Sequence, residues 1–158
     1  MSTVRLSDFL EKNKMARPSI KQLSIIEIEY VAHRLAQELM EYGEPIPPFA
    51  TRYPDKLESC LKTPFQTFRR KSLYQTFETK ASILFYLMIK NHPFQNGNKR
   101  VAVLTLIYFL FQNDRRLSVD NRVLYEFSKD VASSNAQDKN IVLIKIRDFI
   151  IKYSIKFK

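Results

Sequence analysis

The sequence predicts a single all-α domain, and three observations carry this prediction. Only two glycines occur among 158 residues, and because glycine supplies the positive φ angles of tight hairpin turns, a fold built from many hairpins is disfavoured. The run 101–111 is apolar on every side but much shorter than the ~20 residues that cross a bilayer, so it predicts a central buried helix. Several flanking segments repeat apolar residues at helical spacing.

The first helix is predicted to begin at Ser24, because residues 24–27 have the form of a capping box. Apolar residues then recur at helical spacing: Ile28, Val31, Leu35, Leu39 and Tyr42. Gly43 is placed to end this helix in the left-handed conformation. His33 falls at the edge of the polar face, so we expect it on the surface without a ligand.

The rest of the chain predicts further helices and one irregular stretch. Four prolines exclude regular helix from 45–54, which is predicted to be either a strand-like flap or a plain loop. A second capping-box form at 72–75 is predicted to open a helix that ends near residue 91. The other predicted helices span 55–62, 98–113, 121–133 and 140–156. The aromatic residues of 65–77, including Phe68, are expected in the core.

The chain divides at residue 22 into a predicted arm or leader, 1–22, and one domain, 23–158. The N-terminal stretch lacks the apolar segment of a secretory signal. The only cysteine, Cys60, cannot form an internal disulfide, which is typical of a reducing compartment. We therefore expect a cytoplasmic protein with no membrane partner, in which Cys60 is structural.

The net charge of +10 indicates either an anionic partner or a surface adapted for solubility. Nucleic acid, acidic lipid and a polyphosphate ligand are the candidate partners. Basic residues cluster at 69–71 and in the last segment, but neither cluster is interleaved with a known nucleic-acid-binding pattern. We expect no nucleic-acid partner, and keep a basic nucleic-acid-binding protein as a rival hypothesis.

The segment 92–100, His-Pro-Phe-Gln-Asn-Gly-Asn-Lys-Arg, joins the two most apolar predicted helices. Lys99 and Arg100 lie in the first turn of the second helix, where cations are unfavourable unless an anion binds the helix N-terminus. Gly97 allows the backbone to approach such an anion. An imidazole such as His92 can take a proton from a hydroxyl nucleophile near neutral pH. A base beside a phosphate cradle predicts phosphoryl or nucleotidyl transfer.

Each of these residues also has a plain structural explanation: a helix end, a turn and two solvated cations. Phe94 is expected to fill the core and hold the loop in place. Asn96 offers an amide oxygen to Mg²⁺, a weaker ligand than a carboxylate.

The segment resembles the signature of the Fic/Doc superfamily, H-x-F-x-(D/E)-G-N-x-R. His92, Phe94, Gly97, Asn98 and Arg100 match its fixed positions. Five such matches would coincide by chance in on the order of one in ten thousand chains of this length. Outside the motif, 57–59, 80–81 and 109–113 are similar to the death-on-curing (Doc) branch. The resemblance implies a compact helical bundle around the central helix, with a small β-hairpin flap as an additional feature.

The resemblance implies that His92 is the general base toward a Ser, Thr or Tyr hydroxyl of a target protein. It assigns ATP phosphates to the loop Gly97, Asn98, Lys99 and Arg100, and Mg²⁺ to the position of Asn96. AMP-transferring members usually have glycine where this chain has Lys99, whereas Doc has lysine. Doc-type toxins phosphorylate elongation factor Tu and are inhibited by a cognate antitoxin. A Doc-like kinase is therefore our leading hypothesis.

Two departures from the family pattern keep alternatives open. The acidic metal-binding position holds Asn96, so a catalytically weakened interaction module is one rival. The second arginine of AMP-transferring members is Val103 here, which disfavours the other rival, an AMP transferase. Residues 7–12 match the family's inhibitory helix, (S/T)-x-x-x-E-(G/N), except at Lys12.

Overall fold

The computed structural model describes residues 5, 7–8, 19–40 and 43–157. Most of the predicted arm, 1–22, and of the motif-like segment 7–12 therefore lies outside the described residues, and the domain boundary stays a prediction. At the described end of the arm, the backbone N–H of Lys21 donates to Asn113 Oδ1 at 2.8 Å. The side-chain amide of Asn113 donates in return to the Lys21 carbonyl at 3.3 Å. The segment just before the first helix is thus hydrogen-bonded to the domain.

The first helix, α1, has three consecutive parts: α-helical Ile25–Glu27, π-helical Ile28–His33 and α-helical Arg34–Leu39. Its start is as predicted. Ser24 Oγ accepts the N–H of Glu27, and the Glu27 carboxylate accepts the N–H of Ser24. This reciprocal pair satisfies two N–H groups that have no partner within the helix.

The π-helical part changes which residues of α1 face the core. The buried residues are Ile28, Ala32, His33, Ala36 and Met40. Leu39, predicted on the apolar face, is 59% exposed, and the prediction that His33 lies on the surface is also wrong. A π turn holds more residues than an α turn, so every later position is rotated around the axis relative to a regular helix. The cap is Met40, so Gly43 does not end the helix as predicted.

The second helix, α2, spans Pro54–Lys62 and continues into a short 3₁₀ turn, Thr63–Phe65. Cys60 is buried on its inner face, and burial raises the pKa of this thiol to about 12, which suits a structural residue. The preceding stretch, 45–54, contains the 3₁₀ turn Phe49–Thr51 and no strand, so the plain-loop alternative is correct there.

A β-hairpin follows α2, where the sequence predicted the start of a helix. Strands β1, Thr67–Phe68, and β2, Lys71–Ser72, pair antiparallel, and the two arginines between them have positive φ angles. Phe68 is 62% exposed on this hairpin, so its predicted place in the core is wrong. The flap suggested by the resemblance thus has a counterpart at 67–72, outside the proline-rich loop.

The next helix, α3, spans Phe77–Lys90, and its cap is not the predicted one. Thr76 is the N-cap, and its hydroxyl accepts the N–H of Thr79. The predicted cap, Ser72, is unavailable because its hydroxyl donates to the Tyr74 carbonyl and accepts from Lys80 Nζ. Ser72 itself lies in strand β2, so the helix begins only after the next available cap, Thr76.

The central helix, α4, spans Asn98–Gln112 and is buried from Arg100 to Leu106 and again at Phe109 and Leu110. It packs against α1, α3 and α5, the last spanning Asn121–Ser133. The predicted central buried helix and the all-α fold are confirmed. Among the described residues, no helix combines the length and apolar character needed to span a membrane.

The last helix, α6, spans Lys139–Tyr153 and packs against α3. It ends three residues before the predicted limit, because Ser154–Lys156 forms strand β4 and pairs antiparallel with β3, Arg115–Leu117. The backbone groups of 154–156 therefore bond to a strand distant along the chain, a partner that the local pattern does not reveal. The C-terminal segment is thereby joined to the end of α4.

Lys80 connects the hairpin to α3 from a buried position. Its ammonium donates to the carbonyls of Pro64 and Tyr74, at 3.1 and 2.6 Å, and to Ser72 Oγ at 2.9 Å. All three protons of the ammonium therefore have acceptors, which offsets the cost of burying the charge.

Replacing Lys80 with methionine should lower the free energy of unfolding by about 2 kcal/mol, because two backbone carbonyls and one hydroxyl lose their donor. Urea denaturation measures this change. Trypsin cleavage at Arg69 and Arg70 should accelerate as the hairpin is released. Lys62→Met is the matched control, since this lysine is exposed and its ammonium forms a surface ion pair with Glu58. Equal stability of the two variants would contradict the anchoring role.

Candidate active site

His92 follows the end of α3 in a conformation that few residues adopt. Asn91 is the C-cap, donating its N–H to the Leu87 carbonyl, and His92 next to it has φ +49°. A left-handed residue directly after a helix is usually glycine. Pro93 follows His92, and contact with a proline ring pushes the preceding residue away from the right-handed helical region. The Pro93 carbonyl accepts the N–H of Tyr53 at 2.8 Å, which holds the strained turn. An exposed imidazole therefore occupies a position where glycine would be more stable.

Phe94 and Asn98 fix the shape of the loop after His92. The Phe94 side chain is only 4% exposed and lies in the core rather than in a binding site. The Asn98 side chain accepts the N–H of Phe94 and donates to its carbonyl, both at 2.9 Å. The backbone N–H of Asn98 can therefore bind an anion, whereas its side-chain amide is already hydrogen-bonded to Phe94.

Gly97 is the N-cap of α4, and two features of this position require glycine. Its φ is +80°, and a Cβ added there would lie 2.6 Å from Ile46 Cγ1. Gly97 provides no side-chain cap for the helix, and its own N–H donates to Asn96 Oδ1 at 2.7 Å. The N–H groups of the first turn of α4 are thus left without a side-chain cap, at the positive end of a long buried helix.

Arg100 is the deepest charged group of the loop, at 6% exposure. Its Nη1 donates to the Met40 carbonyl at 3.3 Å and its Nη2 to the Glu44 carbonyl at 2.7 Å. These bonds join the start of α4 to the chain that leaves α1. Arg100 therefore positions the loop as well as adding positive charge. Lys99 is half-buried and, within the described part of the chain, donates to no backbone carbonyl.

A cavity of about 350 Å³ brings the predicted site residues together. It is lined by His92, Asn96, Gly97, Asn98, Lys99 and Arg100, and also by Gly43, Glu44, Ile89, Gln95, Tyr125 and Ala132. Phe94 does not line it. Its volume is in the range of small-molecule sites. The sequence missed Glu44 and Tyr125, since neither belongs to the motif and only the packing of α1 and α5 against α4 places them here.

A model of the Fic/DOC family matches residues 22–110, more than half of the chain. The matched range includes the whole loop from His92 to Arg100. The chain belongs to the Fic/DOC family. No curated protein and no solved structure matches it significantly. The resemblance read from the motif is therefore confirmed at the level of the family, and α5 and α6 lie beyond the matched range.

The side-chain oxygens of this Fic/DOC site suit a Mg²⁺ ion only if phosphate oxygens are also ligands of that ion. Among the described residues, no group of three or more His, Cys, Asp or Glu side chains is arranged to hold a metal. Asn96 Oδ1 lies at the cavity but already accepts the N–H of Gly97, and the Glu44 side chain lies beside it. Mg²⁺ commonly uses one or two protein oxygens with substrate phosphates and water. The donor set fits that arrangement.

His33 lies under the loop instead of on the surface. Its ring is 5.3 Å from the rings of both Phe49 and Phe94, and it is 3% exposed. Its Nε2 has no hydrogen-bond partner among the described residues. Burial lowers the pKa of His33, and the Pro47 carbonyl and the Glu29 charge oppose this shift only in part. A neutral imidazole thus packs against the aromatic ring that supports the loop.

Replacing His92 with glycine should raise the free energy of unfolding by about 0.5–1 kcal/mol relative to His92→Ala. Glycine adopts φ +49° without the clash that an L side chain makes with the backbone. Urea denaturation of the two variants measures the difference. Gly97→Ala is the opposite control and should lose about 2 kcal/mol or more, from its positive φ and the contact with Ile46. A His92→Gly protein less stable than His92→Ala would contradict the strain assigned here.

The buried His33 should make stability fall as the pH is lowered below the ordinary histidine value near 6.5. Between that value and the lower pKa of the folded state, the unfolded chain binds more protons, which favours unfolding. The free energy of unfolding at pH 7.5 and pH 5.5 measures the effect. His33→Phe should reduce the difference, whereas His92→Ala, which alters the only other histidine, should keep it. An equal reduction in both variants would refute the assignment.

Proposed function

We propose that this Fic/DOC protein is a Doc-like kinase of the cytoplasm, which transfers the γ-phosphate of ATP to a Ser or Thr hydroxyl of a protein. Members of the family are typically transferases of phosphate or nucleotidyl groups. One observation carries the proposal: the strained His92 and the uncapped N-terminus of α4 line the same cavity. A proton acceptor and an anion-binding helix end are the two parts that such a transfer needs.

The strain at His92 supports a chemical role for its side chain. A left-handed residue other than glycine costs about 1–2 kcal/mol, and the structure keeps it where an imidazole enters the cavity. Energetically costly backbone conformations are concentrated at functional sites. Arg69, Arg70 and Asp114 also have positive φ angles, but of these four residues His92 is the one that lines the cavity.

In the proposed reaction, His92 accepts the proton of the target hydroxyl as its oxygen attacks the γ-phosphorus of ATP. The bond between this phosphorus and the β–γ bridging oxygen breaks, and ADP leaves. The first-turn N–H groups of α4 and the Lys99 ammonium bind the phosphates and stabilise their charge. Asn96 and Glu44 are the side chains that would hold Mg²⁺, which neutralises phosphate charge when bound.

Phosphate transfer is favoured over AMP transfer by residues 99 and 103. Lys99 lines the cavity, where the AMP-transferring relatives have glycine. Its ammonium is a point charge suited to a terminal phosphate. Val103 is fully buried in the core, so the second guanidinium of those relatives has no substitute at this position. Lys99 matches the Doc branch, and Val103 departs from the AMP-transferring pattern.

The proposed partners follow from the same resemblance. The target is a protein with an accessible Ser, Thr or Tyr hydroxyl, for which elongation factor Tu is the first candidate, and a cognate antitoxin would inhibit the enzyme. A second candidate function, an interaction module with weakened catalysis, is favoured by one observation. The motif carboxylate is replaced by Asn96, whose amide oxygen is partly occupied by Gly97.

Radiolabelled ATP distinguishes these functions. In a bacterial lysate, label from γ-labelled ATP should reach a target protein, and label from α-labelled ATP should not. His92→Ala should reduce transfer by about 10²–10⁴-fold, the usual contribution of a general base, with nucleotide affinity nearly unchanged. Labelling from α-labelled ATP would show AMP transfer instead. Nucleotide binding without any labelling would support the interaction module.

A further inference from the structure

The side chain of Glu44 lies at the cavity, beside the motif position that departs from the family pattern. Its Oε2 is 3.4 Å from the side-chain nitrogen of Asn96, at the long limit of a hydrogen bond. Glu44 follows Gly43, which has φ +78°, and its carbonyl is held by Arg100. The backbone of Glu44 is therefore anchored, while its side chain is exposed.

The orientation of Asn96 indicates that the two positions act together. Its Oδ1 faces the N–H of Gly97, so its nitrogen faces Glu44. A carboxylate at position 96 would face the Glu44 carboxylate and be repelled by it, whereas the amide donates to it. The site thus keeps one carboxylate at this wall of the cavity, contributed by the loop after α1.

A carboxylate at this place repels bound phosphates and weakens their binding unless a cation lies between them. The rest of the charged lining, Lys99 and Arg100, attracts phosphate, and Glu44 alone would oppose it. A divalent cation between the Glu44 carboxylate and the phosphates removes this repulsion, since carboxylates and phosphates are the ligands that Mg²⁺ prefers. We propose that Glu44 supplies the carboxylate ligand for a nucleotide-bound Mg²⁺ that Asn96 cannot supply. This inference rests on the proposed nucleotide-binding function.

Binding of a non-hydrolysable ATP analogue with and without Mn²⁺, by calorimetry, tests this role. Electron paramagnetic resonance of Mn²⁺ reports the bound metal independently of catalysis. Glu44→Gln should weaken Mn²⁺-dependent binding at least tenfold and leave metal-free binding unchanged or tighter. In the Glu44→Gln background, Asn96→Asp should restore the metal-dependent affinity, because a single carboxylate then returns to the site without a like-charged neighbour. Glu58→Gln, on the exposed face of α2, is the control and should change neither value.

Three outcomes would overturn the inference. If Glu44→Gln binds as the wild type does, Glu44 is not a metal ligand, and the proposed function is unaffected. If it tightens binding equally with and without Mn²⁺, Glu44 acts to exclude anions. If the wild type binds no nucleotide under either condition, the proposed function fails together with this inference. Thermal denaturation of each variant separates loss of a ligand from loss of the fold.

Discussion

The buried guanidinium of Arg100 is the interaction on which the rest of the site depends. It lies at the start of the central helix α4 and donates to two carbonyls of the chain that leaves α1. A buried charge without partners costs several kcal/mol, so these bonds stabilise the side chain and fix the positions of the Met40 and Glu44 carbonyls. Because Glu44 is anchored here, one wall of the cavity depends on a residue of the core. The motif arginine is therefore a structural element as well as a source of positive charge.

The loop combines two left-handed residues with opposite physical consequences. At Gly97, a glycine occupies a conformation that suits it and leaves space for Ile46. At His92, a side chain occupies a conformation that would suit glycine better. The cost at His92 is offset by its surroundings, since the Asn98 bonds to Phe94 and the bond from Tyr53 to Pro93 hold the turn. The site is consequently preorganised, with its strain located at the residue proposed to react.

Below the loop, the aromatic group of His33, Phe49 and Phe94 supplies its support. An imidazole in this group is an unusual choice, because burial disfavours its charged form. Its ring gives the shape of an aromatic side chain, and it keeps one hydrogen bond to the Pro47 carbonyl. The proline-rich loop and the loop from His92 to Arg100 are thus packed against the same residue of α1.

The sequence by itself determined the fold class, the central helix and the loop from His92 to Arg100. These features depend on local pattern: an apolar run, a capping box at Ser24 and residue types at fixed spacing. Only the tertiary structure decided the rest. The π-helical part of α1 rotated His33 into the core, Ser72, predicted to cap α3, became part of strand β2, and β3 paired with residues predicted to extend α6. Glu44 joined the site through the packing of α1 against α4 and the bond from Arg100 to its carbonyl, because contacts between residues distant along the chain leave no local pattern to read.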